Sequence, residues 1–204
     1  MTVKRHLFSY VVVVPFTIVL AFPFFWMFVT SLKPEAQVFD PTKTWRFHPS
    51  LHAYGFLFHH TNYLKWIGNS CFVGVLVVSI TLAVALPAGY ALARLSGRAG
   101  RMLGVGIFLT YLVPPTLLFL PLSRVVAQYL HLSDRLWALV VIYPSFTIPF
   151  AIWLLMGFFK TIPQELEDAA LVDGCSRFGA LLRIVFPISL PGILTVVIFT
   201  FSLV

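Results

Sequence analysis

The chain alternates long apolar segments with shorter polar ones. Five segments contain no Lys, Arg, Asp or Glu, and each is 21 to 28 residues long. About 20 mostly apolar residues are enough for a helix to cross the hydrocarbon core of a bilayer. The pattern therefore predicts an all-α fold, a polytopic membrane helical bundle. The five predicted spans are residues 7–32, 66–93, 102–123, 136–159 and 184–204.

The polar segments between these spans predict how the chain is oriented. Arg94, Arg98 and Arg101 lie in a short loop without an acidic residue, which is typical of cytoplasmic loops. We therefore expect a cytoplasmic N-terminus, an outer loop at 33–65 and a cytoplasmic loop at 160–183. The first apolar segment is too long for the apolar region of a signal peptide, so we interpret it as a retained span.

Composition narrows the class of protein further. Hydrophobic residues make up 59% of the 204 residues and charged residues only 10%, which excludes a water-soluble globule and a disordered chain. The basic residues that give the net charge of +7 are spread over all the loops. We therefore interpret them as facing lipid and expect no nucleic-acid partner. With only Cys71 and Cys175, a disulfide scaffold is excluded as well.

Two local patterns inside the spans bear on packing. Pro114 and Pro115 in the third span predict a break in the helix, because proline has no N–H to donate and clashes with the preceding turn. Such a break is either a packing kink or part of a broken helix that lines a substrate path. In the second span, Ala85, Gly89 and Ala93 recur every four residues and predict a face on which another helix backbone comes close.

Candidate catalytic and metal-binding residues are few. The predicted spans contain no Asp, Glu or His, which argues against an intramembrane enzyme and against an ion-coupled carrier. His59 and His60 in the outer loop have no cysteine or carboxylate cluster at ligand spacing, so we expect no metal site and no cofactor. Trp45 and Tyr54 are interpreted either as sugar-stacking platforms or as part of an interfacial aromatic belt.

The loop at 160–183 has the most specific local pattern. Thr161 and Gln164 have capping-box spacing, which predicts a helix beginning near Ile162. Gly174 predicts its end, because glycine accepts the left-handed backbone that closes a helix. Ser176 is then the expected cap of a second helix. The prediction is a helix-turn-helix, acidic on its outer face, that either docks a partner or packs on its own bundle.

The residues of this loop and of several other stretches resemble a known family. Glu167-Asp168-Ala169-Ala170, then Gly174, Ile184, Phe186 and Pro187 resemble the EAA loop of ABC importer permeases, with Asp168 and Phe186 departing from the usual residues. Five stretches in the same order resemble the carbohydrate-uptake branch of these binding-protein-dependent importers. They are SLKP at 31–34, HAYGFLF at 52–58, GNSCFVG at 68–74, GYALARLSGR at 89–98 and IPQELEDAALVDG at 162–174.

The resemblance implies a permease subunit of an ATP-driven importer in the cell (inner or plasma) membrane. Its implied partners are an ATP-hydrolysing subunit in two copies, a second permease and an extracytoplasmic solute-binding protein. The chain itself has no P-loop pattern, so ATP hydrolysis is expected in the partner and this chain is not expected to be an enzyme. The residues implied to dock the ATPase are Glu167, Asp168, Ala169, Ala170, Asp173, Gly174, Ile184 and Pro187.

A sugar or related polyol is the substrate class that we expect, because an uncharged path suits a neutral hydroxylated ligand. Permeases of this branch usually have six spans, so we expect the C-terminal span to be missing here. That leaves a non-transporting permease fragment, a membrane scaffold or an importer of another small solute as alternatives. The candidate path residues are Asn69, Ser70, Tyr111, Pro114, Pro115, Thr116 and Tyr143.

Overall fold

The computed structural model describes residues 2–95 and 97–204, and the side chains of all of these except 2–9, 12 and 95. Within that part of the chain the regular structure is helical and no strand occurs. The backbone divides into two compact units, Met1–Trp66 and Ile67–Val204.

The first unit contains one long helix followed by short ones. Ser31, the last residue of the long helix, shares a hydrogen bond of 2.6 Å between its hydroxyl and that of Tyr54. The N–H of Ser50 donates to the carbonyl of Leu32 at 2.8 Å. These two bonds fold the loop back onto the helix end. The helices are α1 (Thr2–Ser31) and α2 (His52–His60), with 3₁₀ turns at Glu35–Gln37 and Pro41–Lys43.

One carboxylate in this loop organises a turn. Asp40 accepts hydrogen bonds from the hydroxyl and the backbone N–H of Thr42, at 2.6 and 2.9 Å. The hydrogen bond from the hydroxyl is the largest cause, and together with the bond from the N–H it lowers the pKa of Asp40 below its usual value. They favour the ionised carboxylate, which caps the 3₁₀ turn at Pro41–Lys43.

The second unit is a bundle of helices built around α3 and α7. Helix α3 begins shortly before the unit boundary and continues into a π-helical turn at Ala91–Leu95. Two further π-helical turns occupy Val125–Tyr129 and Leu181–Val185. The helices are α3 (Tyr63–Tyr90), α4 (Gly97–Tyr111), α5 (Pro115–Arg124), α6 (Leu136–Ile142), α7 (Pro144–Thr161), α8 (Gln164–Val172), α9 (Arg177–Ala180), α10 (Phe186–Ile188) and α11 (Leu190–Leu203).

Helices long and apolar enough to cross a membrane coincide with the apolar segments of the sequence. Among the described residues they are Val13–Ser31, Tyr63–Arg94 and Leu136–Thr161. The third and fifth segments are instead each a pair of helices, bent by 83° and 77° respectively. The structure thus supports three spans, or up to five if each bent pair crosses the membrane as one. The prediction of five spans agrees with the upper count, in which the third and fifth spans are bent helix pairs.

Proline explains both bends. At the first bend Pro114 is extended (φ −57°, ψ 129°) and α5 begins at Pro115, so the predicted break at this pair is confirmed. At the second bend the chain turns at Ser189, just before Pro191. A proline removes one helical hydrogen bond, and its ring clashes with the carbonyl four residues earlier, which here is that of Pro187.

The core of the second unit lies where α3 meets α7. Ala85, Leu155 and Phe159 are fully buried in it. A Cβ added to Gly89 would lie 3.3 Å from the Cβ of Leu155 and 3.3 Å from the backbone nitrogen of Met156. This close approach confirms the small-residue face predicted on the second span.

Candidate functional site

The loop at 160–183, which we call the coupling loop, forms the predicted helix-turn-helix. Its first helix is α8 and its second begins with α9. The second helix runs on through a π-helical turn and α10 to Ile188. The coupling loop is therefore a structured element that connects α7 to the last helices of the chain.

The helix of the coupling loop starts later than the sequence predicts. It begins at Gln164 with Pro163 as its N-cap residue, and no side chain caps it. The hydroxyl of Thr161 donates to the carbonyl of Phe158 within the preceding helix, so the predicted capping box is wrong. Pro163 is the cause, because it disfavours a helical conformation in the residue before it and Ile162 is extended (φ −81°, ψ 127°).

The turn between the two helices has the predicted chemistry. Gly174 has a φ of +87°, a conformation that costs a glycine no steric strain. Its N–H donates to Leu171 at 3.1 Å and that of Cys175 donates to Ala170 at 2.9 Å, the pair of bonds that defines a Schellman motif. The hydroxyl of Ser176 accepts from the N–H of Gly179 at 3.1 Å, which confirms the predicted cap.

A buried ionic network attaches α8 to the bundle. Glu167 is only 4% exposed. One of its oxygens accepts from Nε of Arg94 at 2.7 Å and the other from the hydroxyl of Tyr90 at 2.8 Å. Arg94 also donates to the carbonyl of Ile162 at 2.7 Å, and the Tyr90 ring meets that of Phe159 edge to face. The network thus joins the end of α3, the end of α7 and α8.

Glu167 lies on a different face from the one that the sequence predicts, and its two partners are residues that the prediction lacks. The carboxylate of Glu167 is predicted on the acidic outer face, but it faces the bundle, and Ala170 is buried beside it. Its partners Tyr90 and Arg94 are not among the residues predicted from the sequence. Two features of the sequence could have indicated this pairing. One is an arginine at the end of an apolar segment, and the other is a glutamate three residues before an alanine, on the same helix face.

The opposite face of the coupling loop is exposed and partly apolar. Val172 is 87% exposed and Phe178 is 65% exposed. Asp168 and Ala169 are exposed on α8 as well. Large apolar side chains exposed together at a turn are typical of interaction surfaces. We call Asp168, Ala169, Val172 and Phe178 the outer face of the coupling loop.

The remaining predicted docking residues are dispersed. Asp173 is exposed at the end of α8, next to Gly174. Ile184 is half-buried in the π-helical turn, and Pro187 is exposed in α10. The structure therefore places Asp173 and Gly174 at the turn, and Ile184 and Pro187 on the helix that leads away from it.

Four of the predicted path residues surround one cavity at the break between α4 and α5. Tyr111, Pro114, Pro115 and Tyr143 line it, with a volume of about 460 Å³. Thr116 lines a neighbouring open recess with Pro115 and Phe119. Neither Asn69 nor Ser70, both on α3, lines the cavity. The structure thus brings together four of the seven candidates and leaves three outside.

An aromatic cluster that no sequence pattern indicates adjoins this cavity. The ring of Tyr111 lies 5.3 Å from that of Phe150 and 6.5 Å from that of Phe199. Phe150 and Phe199 are 4.0 Å apart between ring centroids, and Phe108 stacks on Trp153 at 4.5 Å. These residues come from α4, α7 and α11, so no short sequence window contains the cluster.

Among the described residues, no group of three or more His, Cys, Asp or Glu side chains is placed to hold a metal ion. His60 stacks on Phe56, with 5.3 Å between the ring centroids.

Comparisons with known proteins agree with this architecture. Residues 85–204 match the family of binding-protein-dependent transport system inner membrane components. A probable ABC transporter permease protein of Sinorhizobium fredii is 34% identical over 180 residues, which are 88% of this chain and 64% of that protein. The sulfoquinovosyl glycerol transport system permease protein of Agrobacterium fabrum is 34% identical over 181 residues, 88% of this chain and 63% of that protein.

Other similar proteins extend the comparison. The trehalose transport system permease protein of Mycobacterium tuberculosis is 31% identical over 182 residues, 88% of this chain and 65% of that protein. Among solved structures, a bacterial ABC transporter involved in the import of the acidic polysaccharide alginate has a chain of the same fold. Its TM-score is 0.75 at 22% identity, over 99% of this chain and 72% of that one.

The chain spans somewhat less than two thirds of the length of the first relatives that it matches, 64% and 63%. The family match itself covers more than half of this chain and includes α7, the coupling loop and α11. The chain therefore belongs to the family of binding-protein-dependent transport system inner membrane components.

Proposed function

We propose that the chain is the permease subunit of an ATP-driven importer and that its coupling loop docks an ATP-hydrolysing subunit. The two-sided structure of the coupling loop is the observation that supports this most. Its inner face is held to the bundle by Glu167, Arg94 and Tyr90, and its outer face is exposed. A docking element needs both properties, because it must contact a partner and move together with the spans.

The inner attachment is strong enough to transmit a displacement. Breaking a buried ion pair by removing one partner typically costs about 3–5 kcal/mol, since the other charge is left buried and uncompensated. Arg94 also holds the carbonyl of Ile162 at the start of the coupling loop. A push on α8 is therefore passed to the ends of α3 and α7 before this network breaks.

The proposed substrate is a sugar or a related polyol. The cavity at the broken third span is lined by two tyrosines, two prolines and apolar residues, without a charged side chain. Such a surface suits a neutral ligand that stacks on aromatic rings and bonds to hydroxyl groups. Relatives named as permeases for sulfoquinovosyl glycerol and trehalose support this class.

The proposed assembly follows from the family. It contains two copies of an ATP-hydrolysing subunit, a second permease and an extracytoplasmic solute-binding protein, in the inner membrane. We propose that the N-terminus of this chain lies in the cytoplasm, so that the coupling loop is on the side where ATP is available. Hydrolysis is assigned to the partner subunit.

Co-purification from membranes tests the docking role. The tagged chain is compared with Gly174→Val and with the matched control Gly174→Asn. Valine at a φ of +87° costs about 1–3 kcal/mol of backbone strain, whereas asparagine tolerates this conformation. No atom lies within 4 Å of the added Cβ, so the strain acts on the turn and not on the core.

We expect the ATP-hydrolysing subunit to co-purify with the wild type and with Gly174→Asn, and to be lost from Gly174→Val. Equal recovery with all three chains would show that docking does not depend on this turn. Absence of an ATP-hydrolysing subunit from the wild-type preparation would contradict the proposal itself.

A further inference from the structure

A buried lysine without an acidic partner lies just after the first helix. Lys33 is 4% exposed, and its ammonium lies 5.1 Å from the ring centroid of Trp26 and 5.3 Å from that of Phe47. In the part of the chain that the structure describes, Arg94 and Glu167 form the salt bridge, and none is made by Lys33. Burying an ammonium group is costly unless an anion or hydrogen-bond acceptors compensate it.

Lys33 lines a cavity with mixed polar and apolar walls. The cavity has a volume of about 720 Å³, and Thr30 and Glu35 line it together with Lys33. The hydroxyl oxygen of Thr30 is buried and has no hydrogen-bond partner. Val38 and Phe56 form part of the apolar wall. A buried ammonium without a salt bridge to any described residue and a buried hydroxyl without a hydrogen-bond partner thus border the same space.

The position of this cavity along α1 indicates what reaches it. The uncharged segment 7–32 is 26 residues long, which corresponds to about 39 Å of helix at 1.5 Å per residue. This is enough to cross a hydrocarbon core of about 30 Å, and Lys33 is the first charged residue after it. Lys33, two residues beyond the helix end, therefore lies at the level of the lipid headgroups, where tryptophans such as Trp26 are also enriched.

We propose that this cavity binds the headgroup of a zwitterionic phospholipid with a primary amine, of the phosphoethanolamine type. The phosphate accepts hydrogen bonds from the Lys33 ammonium and the Thr30 hydroxyl, and the amine of the headgroup pairs with Glu35. The apolar wall with Val38 and Phe56 holds the glycerol and the upper acyl chain. One ligand thus supplies partners for both unpaired groups of the protein.

Glu35 decides between headgroup classes. It is exposed and belongs to the lining of the cavity, so it repels a purely anionic headgroup and attracts an amine. A primary amine donates hydrogen bonds to a carboxylate, which a quaternary choline does not. This proposal requires only that α1 crosses a membrane and does not depend on the transport function.

Lipid binding to the purified full chain tests the proposal. The chain is titrated in detergent with phosphatidylethanolamine, phosphatidylglycerol or phosphatidylcholine, and bound lipid is counted by native mass spectrometry. We expect phosphatidylethanolamine to bind at least tenfold more tightly than the other two. Lys33→Met is expected to weaken phosphatidylethanolamine binding at least tenfold, whereas Lys43→Met, at an exposed lysine of the same loop, leaves it unchanged.

Two further variants test the hydroxyl and the carboxylate of the cavity separately. Thr30→Val keeps the side-chain shape and removes only the unpaired hydroxyl. It is therefore expected to weaken lipid binding without loss of folding. This variant tests the proposal even if Lys33→Met is unstable. Glu35→Gln is expected to weaken phosphatidylethanolamine binding and to strengthen that of phosphatidylglycerol. Unchanged lipid affinity in Thr30→Val, or unchanged lipid preference in Glu35→Gln, would overturn the proposal. Displacement of the lipid by millimolar inorganic phosphate alone would overturn it as well and assign the site to a free anion.

Discussion

Glu167 shows how one side chain can be assigned to the wrong face from sequence. A glutamate in a short helix between two spans is expected to be exposed, and the resemblance to the EAA loop implies a role at the surface. In the structure it is buried between Arg94 and Tyr90. These partners are 73 and 77 residues away in sequence, so local helix periodicity contains no information about them.

Removing the positive charge from this network is expected to destabilise the bundle. Arg94→Met leaves Glu167 buried without its ion-pair partner, which costs about 3–5 kcal/mol. The double substitution with Glu167→Leu removes both charges and is expected to recover most of that loss. Thermal unfolding of the purified chain in detergent measures both changes.

Arg98→Met is the control for this experiment, because Arg98 is exposed and its replacement should change stability by less than about 0.5 kcal/mol. A loss in Arg94→Met no greater than that of Arg98→Met would mean that the network does not hold the coupling loop to the bundle.

The elements were more predictable than the side-chain partners. All five apolar segments are helical, and the break at Pro114–Pro115 and the turn at Gly174 occur where the sequence placed them. These features depend on backbone chemistry within a few residues. The capping box at Thr161 failed because a second local rule, the effect of Pro163 on the residue before it, outweighed it.

The close contact between α3 and α7 predicts which substitutions in α3 destabilise the bundle. Gly89→Leu introduces a side chain where a Cβ alone would already lie 3.3 Å from Leu155 and Met156, so overpacking is expected to cost about 1–3 kcal/mol. Gly68→Leu, in the same helix with no atom within 4 Å of its added Cβ, should have no such cost.

Thermal unfolding of the two variants in detergent measures the difference. Because leucine has a higher helix propensity than glycine, Gly68→Leu is expected to be at least as stable as the wild type. If the two variants melt at the same temperature, the helices do not approach each other at Gly89 as the structure has it.

The outer face of the coupling loop exposes Val172 and Phe178, and the proposed function covers them with an ATP-hydrolysing subunit. A few residues near the centre of an interface usually dominate its binding energy. Their exposure in the isolated chain is therefore consistent with a surface that is buried in the assembly.

Replacing these two residues is expected to weaken docking without unfolding the chain. Val172→Ser and Phe178→Ser change exposed side chains, so stability should shift by about 0.5 kcal/mol or less. Recovery of the ATP-hydrolysing subunit in co-purification is expected to fall at least tenfold, because truncating a hot-spot residue of an interface costs about 2 kcal/mol or more.

The exposed leucine Leu139 of α6 provides the control. Leu139→Ser also removes an exposed apolar side chain but lies outside the coupling loop, so it should leave recovery unchanged. Full recovery with both coupling-loop variants would place the docking surface elsewhere on the chain.

The helical class, the positions of the apolar segments, the proline break and the glycine turn were all predictable from the amino-acid sequence. Each of these follows from hydrophobicity or from backbone geometry over a few neighbouring residues. The folded chain was needed to show which face of the coupling loop is outside, which candidates border the cavity at Pro114, and that Lys33 is buried without a salt bridge among the described residues. Burial and pairing depend on atoms brought together from distant parts of the chain, and local patterns do not encode them.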